Sequence, residues 1–330
     1  MENYLLGRRT FLKKTAVLAG SSVTGRAAGI FSGVLPVALY AQSQAAAAPD
    51  VQARKLSDNV LFIKGPDSNA LVVNGNEGLI LVDGGHTGWF GSLQSAVGQH
   101  FPGRPWRALF NTHWHPDQTG ANLPLGQQGV EIIAHENTKL WLGTEVWQRW
   151  SGITYPPLPD AALPTTTVYS DGSMQIGTTL IHYGYMRDSH TDGDLWVYVE
   201  NEDVLVTGGL VSNGRWPEID WWTGGFIGGM MDGFVSLMTV PGANTKIIPA
   251  YGDVMTLDQL KAQNQMYITV FDRFHGSFIK SESLPQLLTA KPTAEYDAMM
   301  GDPTQFLTLA FQSVKGHIRD PQNDRLLNFP

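Results

Sequence analysis

Between residues 71 and 115 the chain runs from a tight apolar hairpin, through one further short apolar segment, directly into two histidines set one residue apart. Leu71-Val72-Val73, a turn at Asn74-Gly75-Asn76 and Leu79-Ile80-Leu81-Val82-Asp83-Gly84-Gly85 read as paired strands, the second ending in an acid. Trp106 to Phe110 is then a strand that delivers Asn111-Thr112-His113-Trp114-His115-Pro116-Asp117-Gln118-Thr119-Gly120. This order commits the segment to a sheet whose loop presents two imidazoles and a carboxylate at alternate positions, as a loop gripping a divalent metal does. Such donors suit Zn, Fe or Mn, and a third ligand from elsewhere leaves a coordination position open for water. The pair alone is a weak signal, because two loop histidines hydrogen-bonded to backbone give the same pattern.

Further along, Asp171-Gly172 sits between short alternating segments as a hairpin turn does. Ser189-His190-Thr191-Asp192-Gly193-Asp194 precedes an apolar strand from Leu195 to Val199, and Val204-Leu205-Val206-Thr207-Gly208-Gly209 follows. From about Val51 to the C-terminal helices, this series resembles the metallo-beta-lactamase superfamily in the order and character of its elements. The resemblance implies an α+β fold, a four-layer αββα sandwich of two sheets face to face with helices outside. Its signature is His-x-His-x-Asp-His, a lone His, a strand-ending Asp and a last His. It implies that His113, His115 and His190 are the ligands of one complete site and that Asp117 is the acid of a second. That second site is degenerate: Gln118 replaces its histidine, Gly209 its bridging acid and Tyr251 its last histidine.

The resemblance therefore implies one divalent ion, Zn first with Fe or Mn as alternatives, and hydrolysis by metal-bound water. Asp117 is the candidate to orient that water or carry its proton, unless it is recruited as a ligand. Tyr251 either donates a hydrogen bond to a developing oxyanion or lines the site. Asp83 either holds the ligand loop or simply forms a turn before two glycines. Asp192, Asp194 and Asp253 are substitute ligands or turn residues. His135 and His182, at strand ends, read as packing or hydrogen-bonded histidines, while His86, His100, His275 and His317 have no ligand-like surroundings.

With 330 residues and 42% hydrophobic content, the chain has enough apolar material for one sizeable core. Residues 1–48 read as an export signal and linker, and 49–330 as a single domain with C-terminal helices. Gly7-Arg8-Arg9-Thr10-Phe11-Leu12-Lys13-Lys14 before an apolar stretch resembles a twin-arginine signal, and Ala41 to Ala48 offers a cleavage region. The expected location is the periplasm, with the twin-arginine export machinery as a partner. The absence of cysteine suits an oxidising compartment. A formal charge of -8 without a basic stripe argues against nucleic acid. No later segment reaches the roughly 18 consecutive apolar residues of a membrane-spanning helix.

Trp89 to Val97, Glu136 to Trp150, Leu257 to Ala290 and Pro303 to Val314 read as mainly helical. Arg215 to Gly225 carries three tryptophans, either an apolar wall of the site or a core or dimer contact. Trp114 faces the same site or packs beneath the loop. Two functions follow: a periplasmic metal-dependent hydrolase of an ester, lactone or amide with a small-molecule substrate, or a noncatalytic accessory protein that binds metal or a small ligand.

Overall fold

Strands buried on both faces lose the alternation of a half-exposed strand, and the near-continuous apolar runs at 60–63 and 79–82 are of this kind. In the computed structural model, which describes residues 50–318 and side chains to 315, they lie inside a seven-stranded sheet. Its order is β1 (Gln52–Lys55), β2 (Val60–Lys64), β3 (Asn69–Gly75), β4 (Gly78–Val82), β5 (Trp106–Phe110), β6 (Glu131–His135) and β9 (Thr166–Val168). The first four strands are antiparallel neighbours, whereas β4, β5, β6 and β9 run parallel. A five-stranded sheet takes β10 (Gly172–Ile176), β11 (Thr179–Met186), β12 (Asp194–Val199), β13 (Val204–Val206) and β14 (Lys246–Ile248) in chain order.

Period-two alternation decides what each residue touches. Phe62, Leu71, Val82 and Phe110 of the first sheet meet Ile181, Val197, Val206 and Ile248 of the second in a shared inner core. Full burial of a side chain such as Phe110 stabilises this layer by roughly 1.5–3 kcal/mol. Their neighbours Leu61, Leu81 and Leu109 face outward onto Leu93 and Val97 of α1 (Phe90–His100). The outer face of the second sheet, through Trp196, Leu205 and Ile247, packs on α4 (Ile227–Leu237), α5 (Leu257–Ile279) and α8 (Thr304–Ile318). The expected αββα sandwich is the observed fold.

Three local expectations need correction. Asp171-Gly172 is not a hairpin turn. Thr166 pairs with Ile133 in the first sheet while Gly172 pairs with Tyr183 in the second, so the stretch crosses between sheets. The hairpin lies further on, where Ile176 pairs with Thr179 around Gly177, whose φ of 58° suits glycine. The helix read from Glu136 to Trp150 stops at Leu142: α3 (Glu136–Leu142) runs into Gly143, and Thr144 Oγ1 donates to the Leu140 carbonyl. The β-branched and aromatic residues beyond it form a separate hairpin, β7 (Val146–Gln148) with β8 (Ile153–Tyr155). The turn read at Asn74-Gly75-Asn76 lies later, because Asn74 and Gly75 are strand residues paired with Leu79 and Gly78 and the chain reverses at Asn76-Glu77. The stretch from 257 to 290 is mainly helical, as expected, and divides in two where a Ser283 capping box with Pro285 in the first turn starts a new helix at Leu284. The leader at 1–48 lies outside the described residues. No described helix is long and apolar enough to cross a membrane.

Candidate metal centre

The end of β4 fixes the ligand loop. Asp83 adopts a φ of 59° immediately after the strand, its N–H bonds the Phe110 carbonyl at 2.8 Å, and its carboxylate turns toward the neighbouring loop. There it accepts the Thr112 N–H at 2.8 Å and the Thr112 hydroxyl at 2.9 Å. Thr112 Oγ1 lies in turn 3.0 Å from His113 Nδ1. Burial lifts the Asp83 pKa to about 8 against those two bonds. Behind the loop, Asn111 and Asn122 exchange reciprocal side-chain bonds of 3.0 and 2.8 Å, and Asn122 also reaches the Ala162 carbonyl. Asp83 thus takes the loop-holding role.

His190 enters from the loop between β11 and β12. Asp194 accepts the Thr191 N–H at 2.7 Å and its hydroxyl at 3.0 Å, and places Oδ1 3.5 Å from His190 Nδ1. The third support was not read from the sequence. Asp220, 1% exposed, sits 3.0 Å from His115 Nε2, receives the Thr223 N–H and donates its own N–H to the His190 carbonyl. One residue therefore clamps two ligand segments. Its sequence signal is an Asp three residues before a Thr in a turn ending at Gly224, whose φ is 92°.

The three imidazoles converge. Their ring centroids lie 4.9, 4.7 and 4.7 Å apart with interplanar angles of 77°, 77° and 72°, a propeller that turns one nitrogen of each toward a common centre. One nitrogen from each lies within 4.8 Å of the others, and all three residues are buried. Burial, reinforced by His190 and His115, holds the His113 pKa well below its usual value, so that ring is a neutral donor. Burial alone would lower His115 too, but the hydrogen bond and charge of Asp220 raise it to about 9. A cation among the rings competes with that proton, and an imidazole backed by a carboxylate is the more basic ligand. The donor set fits one divalent ion.

The second site is filled by other groups. A Cβ on Gly209 would stand 2.4 Å from His190 Nδ1, so the imidazole occupies the space a side chain there would need. Gln118, 1% exposed, turns Nε2 toward Asp117 Oδ2 at 3.4 Å. Asp192 accepts the Trp141 indole N–H at 2.7 Å and Asp253 pairs with Lys64 at 2.9 Å, so neither joins the histidines. Among the described residues, His113, His115 and His190 are the group assembled for metal.

These histidines open onto a cavity of about 640 Å³ whose wall includes Asp117, Gln118, Tyr155, Arg215, Trp216 and Phe306. Trp216 and Phe306 stack with centroids 4.8 Å apart. Trp221 and Trp222 are not in the wall, and Trp222 instead carries the Arg149 guanidinium at 4.6 Å. Trp114 packs beneath the loop and donates Nε1 to Thr223 Oγ1 at 3.0 Å. Tyr251 lies under the Arg215 guanidinium at 4.0 Å and is also not part of the wall. His86 does line the cavity, whereas His135 stacks on Tyr185 and His182 bonds Glu200. The β7–β8 hairpin, invisible to a helical reading of that stretch, contributes Gln148, Ser151, Ile153 and Tyr155.

The chain is 29% identical over 150 residues to the 2,4-dinitroanisole O-demethylase subunit alpha of Nocardioides sp. strain JS1661, an alignment covering 44% of this chain and 41% of that one. It thus spans less than half the length of this relative. A metallo-beta-lactamase from Pontibacter korlensis superposes with a TM-score of 0.54 at 18% identity, covering 66% of this chain and 99% of that one. A double mutant of the sec-alkyl sulfatase PisA1 gives 0.62 at 17% identity, covering 85% of this chain and 52% of that one. At such identities the likeness is one of fold. The profile of the Metallo-beta-lactamase superfamily matches residues 63–259, from β2 to the first turn of α5, with all three histidines inside. This chain belongs to the metallo-beta-lactamase superfamily.

Proposed function

We propose that the chain is a metal-dependent hydrolase in which His113, His115 and His190 hold one divalent ion and an ester, lactone or amide is cleaved. The observation that carries this reading is the convergence of three buried imidazoles, with His113 and His115 hydrogen-bonded to a fixed hydroxyl and carboxylate and Asp194 3.5 Å behind His190. Zinc suits the donor set best, with iron and manganese as alternatives. When bound, such an ion acidifies water and polarises an acyl carbonyl.

The chain's own groups do the rest. Asp220 orients the His115 ring, and Asp194 fixes the loop that carries His190 through Thr191. Asp117 lines the cavity two residues from His115, where its carboxylate accepts the proton of an attacking water. Burial, with the charges of Glu218, Asp117 and Asp220, raises the Tyr155 pKa, so its phenol keeps a proton to donate to a leaving group. Trp216 and Phe306 take the apolar part of the substrate and exclude water from it. The relative named as an O-demethylase supports a second reading, cleavage of an aryl alkyl ether, and the stacked aromatic wall favours it. Periplasmic export belongs to the same proposal and rests on the Arg8-Arg9 leader.

Metal content of protein purified without added metal, measured together with hydrolysis of 4-nitrophenyl esters, tests the reading. About one equivalent per chain, lost with activity in His113→Ala and His190→Ala, is expected. Metal bound without turnover of any ester, amide or ether would favour the accessory-protein alternative.

A further inference from the structure

The cavity beside the three histidines is unbalanced in charge. Asp67, Asp117, Glu218 and Asp302 line it against Arg215, the one lysine or arginine of the wall among the described residues. Two more carboxylates, Asp220 and Asp194, stand directly behind His115 and His190. These six acids exceed what Arg215 and a divalent ion together neutralise by three charges. In this structure the Arg215 guanidinium is turned onto the Tyr251 ring at 4.0 Å and donates to the Asp67 carbonyl at 3.1 Å.

Two of the rim acids are held by hydrogen bonds. Glu218 accepts from Gln305 across the rim at 2.8 Å, and Asp302 caps α8 through the Thr304 N–H and hydroxyl. Those two bonds hold the Asp302 carboxyl below the usual carboxylate range. A separate observation concerns Gln118. Asp117 can only accept, so it fixes the Gln118 amide with Nε2 toward itself and leaves Oε1 buried without a hydrogen-bond partner among the described residues. A buried acceptor in the wall calls for a donor on the occupant.

We infer that the site selects substrates that are uncharged or cationic, with an aromatic or other apolar group against Trp216 and Phe306, and turns anions away. This rests on the hydrolase reading for the cavity's role but is tested apart from it. Low-dielectric walls lengthen the reach of the four rim charges, so discrimination against a single negative charge is at least about tenfold at low salt.

The test is equilibrium binding of three phenyl-bearing probes to the purified chain, followed by tryptophan emission: benzyltrimethylammonium, benzyl alcohol and benzenesulfonate, an anion that ligates metal poorly. The sulfonate is expected to bind at least about tenfold more weakly than the alcohol, the cation no more weakly, and the gap to shrink with added salt. In a Glu218→Gln, Asp302→Asn double variant, whose amide oxygens can still accept all three hydrogen bonds, the gap is expected to fall to about threefold or less. A sulfonate that binds as well as the alcohol, or a gap unmoved in the folded double variant, overturns the inference. The expected order without hydrolysis of any ester, lactone or amide refutes the hydrolase reading and leaves charge selection standing. Equal hydrolysis of neutral and anionic 4-nitrophenyl esters does the reverse.

Discussion

The Asp220 carboxylate meets His115 Nε2 at 3.0 Å with both side chains buried, which leaves Nδ1 as the ring nitrogen for a ligand. The pair fixes which face of the imidazole looks inward and how basic it is. In Asp220→Asn the amide oxygen can keep the cap to the Thr223 N–H, while the charge and the acceptor facing His115 Nε2 are both lost. Metal affinity is expected to fall about 10–100-fold, measured by competition with a chelator, with little change in secondary structure.

Gly209 offers a sharper test of the missing second site. In Gly209→Ala the new Cβ has to displace His190, whose Nδ1 would lie 2.4 Å away. Bound metal is expected to drop by more than half, and stability by roughly 1–3 kcal/mol, the usual range for overpacking. Gly209→Asp, which supplies the missing carboxylate on paper, is expected to bind less metal than the parent rather than two equivalents. Elemental analysis per chain reads both.

The strands from Leu71 to Phe110 and the pair His113 and His115 were legible because their signals are local: hydrophobic period and a spacing of two. His190 carries no motif of its own and was placed by the order of elements around it. Asp220 was not legible because its role exists only when a residue 105 positions from His115 folds back onto it. Tyr155 was hidden for another reason: good helix formers before Gly143 masked the Val146-Trp147 strand, whose pairing with Tyr155 and Thr154 is tertiary in origin. The three tryptophans at 216–222 read alike in sequence, yet packing divides them, with Trp216 in the cavity wall and the others outside it.

The asparagine pair beneath the ligand loop is a stability element. Asn122→Leu removes the bonds to Asn111 and to the Ala162 carbonyl, leaving buried polar groups unpaired. Destabilisation of about 2–3 kcal/mol is expected in urea unfolding. The Asn111→Leu, Asn122→Leu double variant is expected to lose clearly less than the sum of the singles, since neither partner is then orphaned.

His135, buried and stacked on Tyr185 with centroids 4.0 Å apart, sets a pH dependence. Burial lowers its pKa to about 4, against a backbone bond at Tyr169, whereas the unfolded chain protonates it near 6.5. The unfolded state therefore takes up the proton first as pH falls. Stability from neutral His135 is complete above 6.5, is lost between 6.5 and 4 and levels off below. Its size is about 3 kcal/mol. Comparing the parent with His135→Gln by thermal melting from pH 7 to 4, the variant is expected to lose less over that interval; parallel curves would remove His135 as the cause.

The close packing of His190 on Gly209 also bears on how such a chain can change. A ligand ring has settled into space that an added side chain at 209 would need, so the first step back toward a two-metal centre damages the site that works before it supplies anything new. Restoring the partner histidine at 118 alone gains no bridging group, and restoring the acid alone evicts a ligand. The one-metal arrangement is in this sense a ratchet: a step at 209 passes through a protein with a damaged site, and variation is channelled into the cavity wall, where the β7–β8 hairpin and the rim of α8 can alter without touching the histidines.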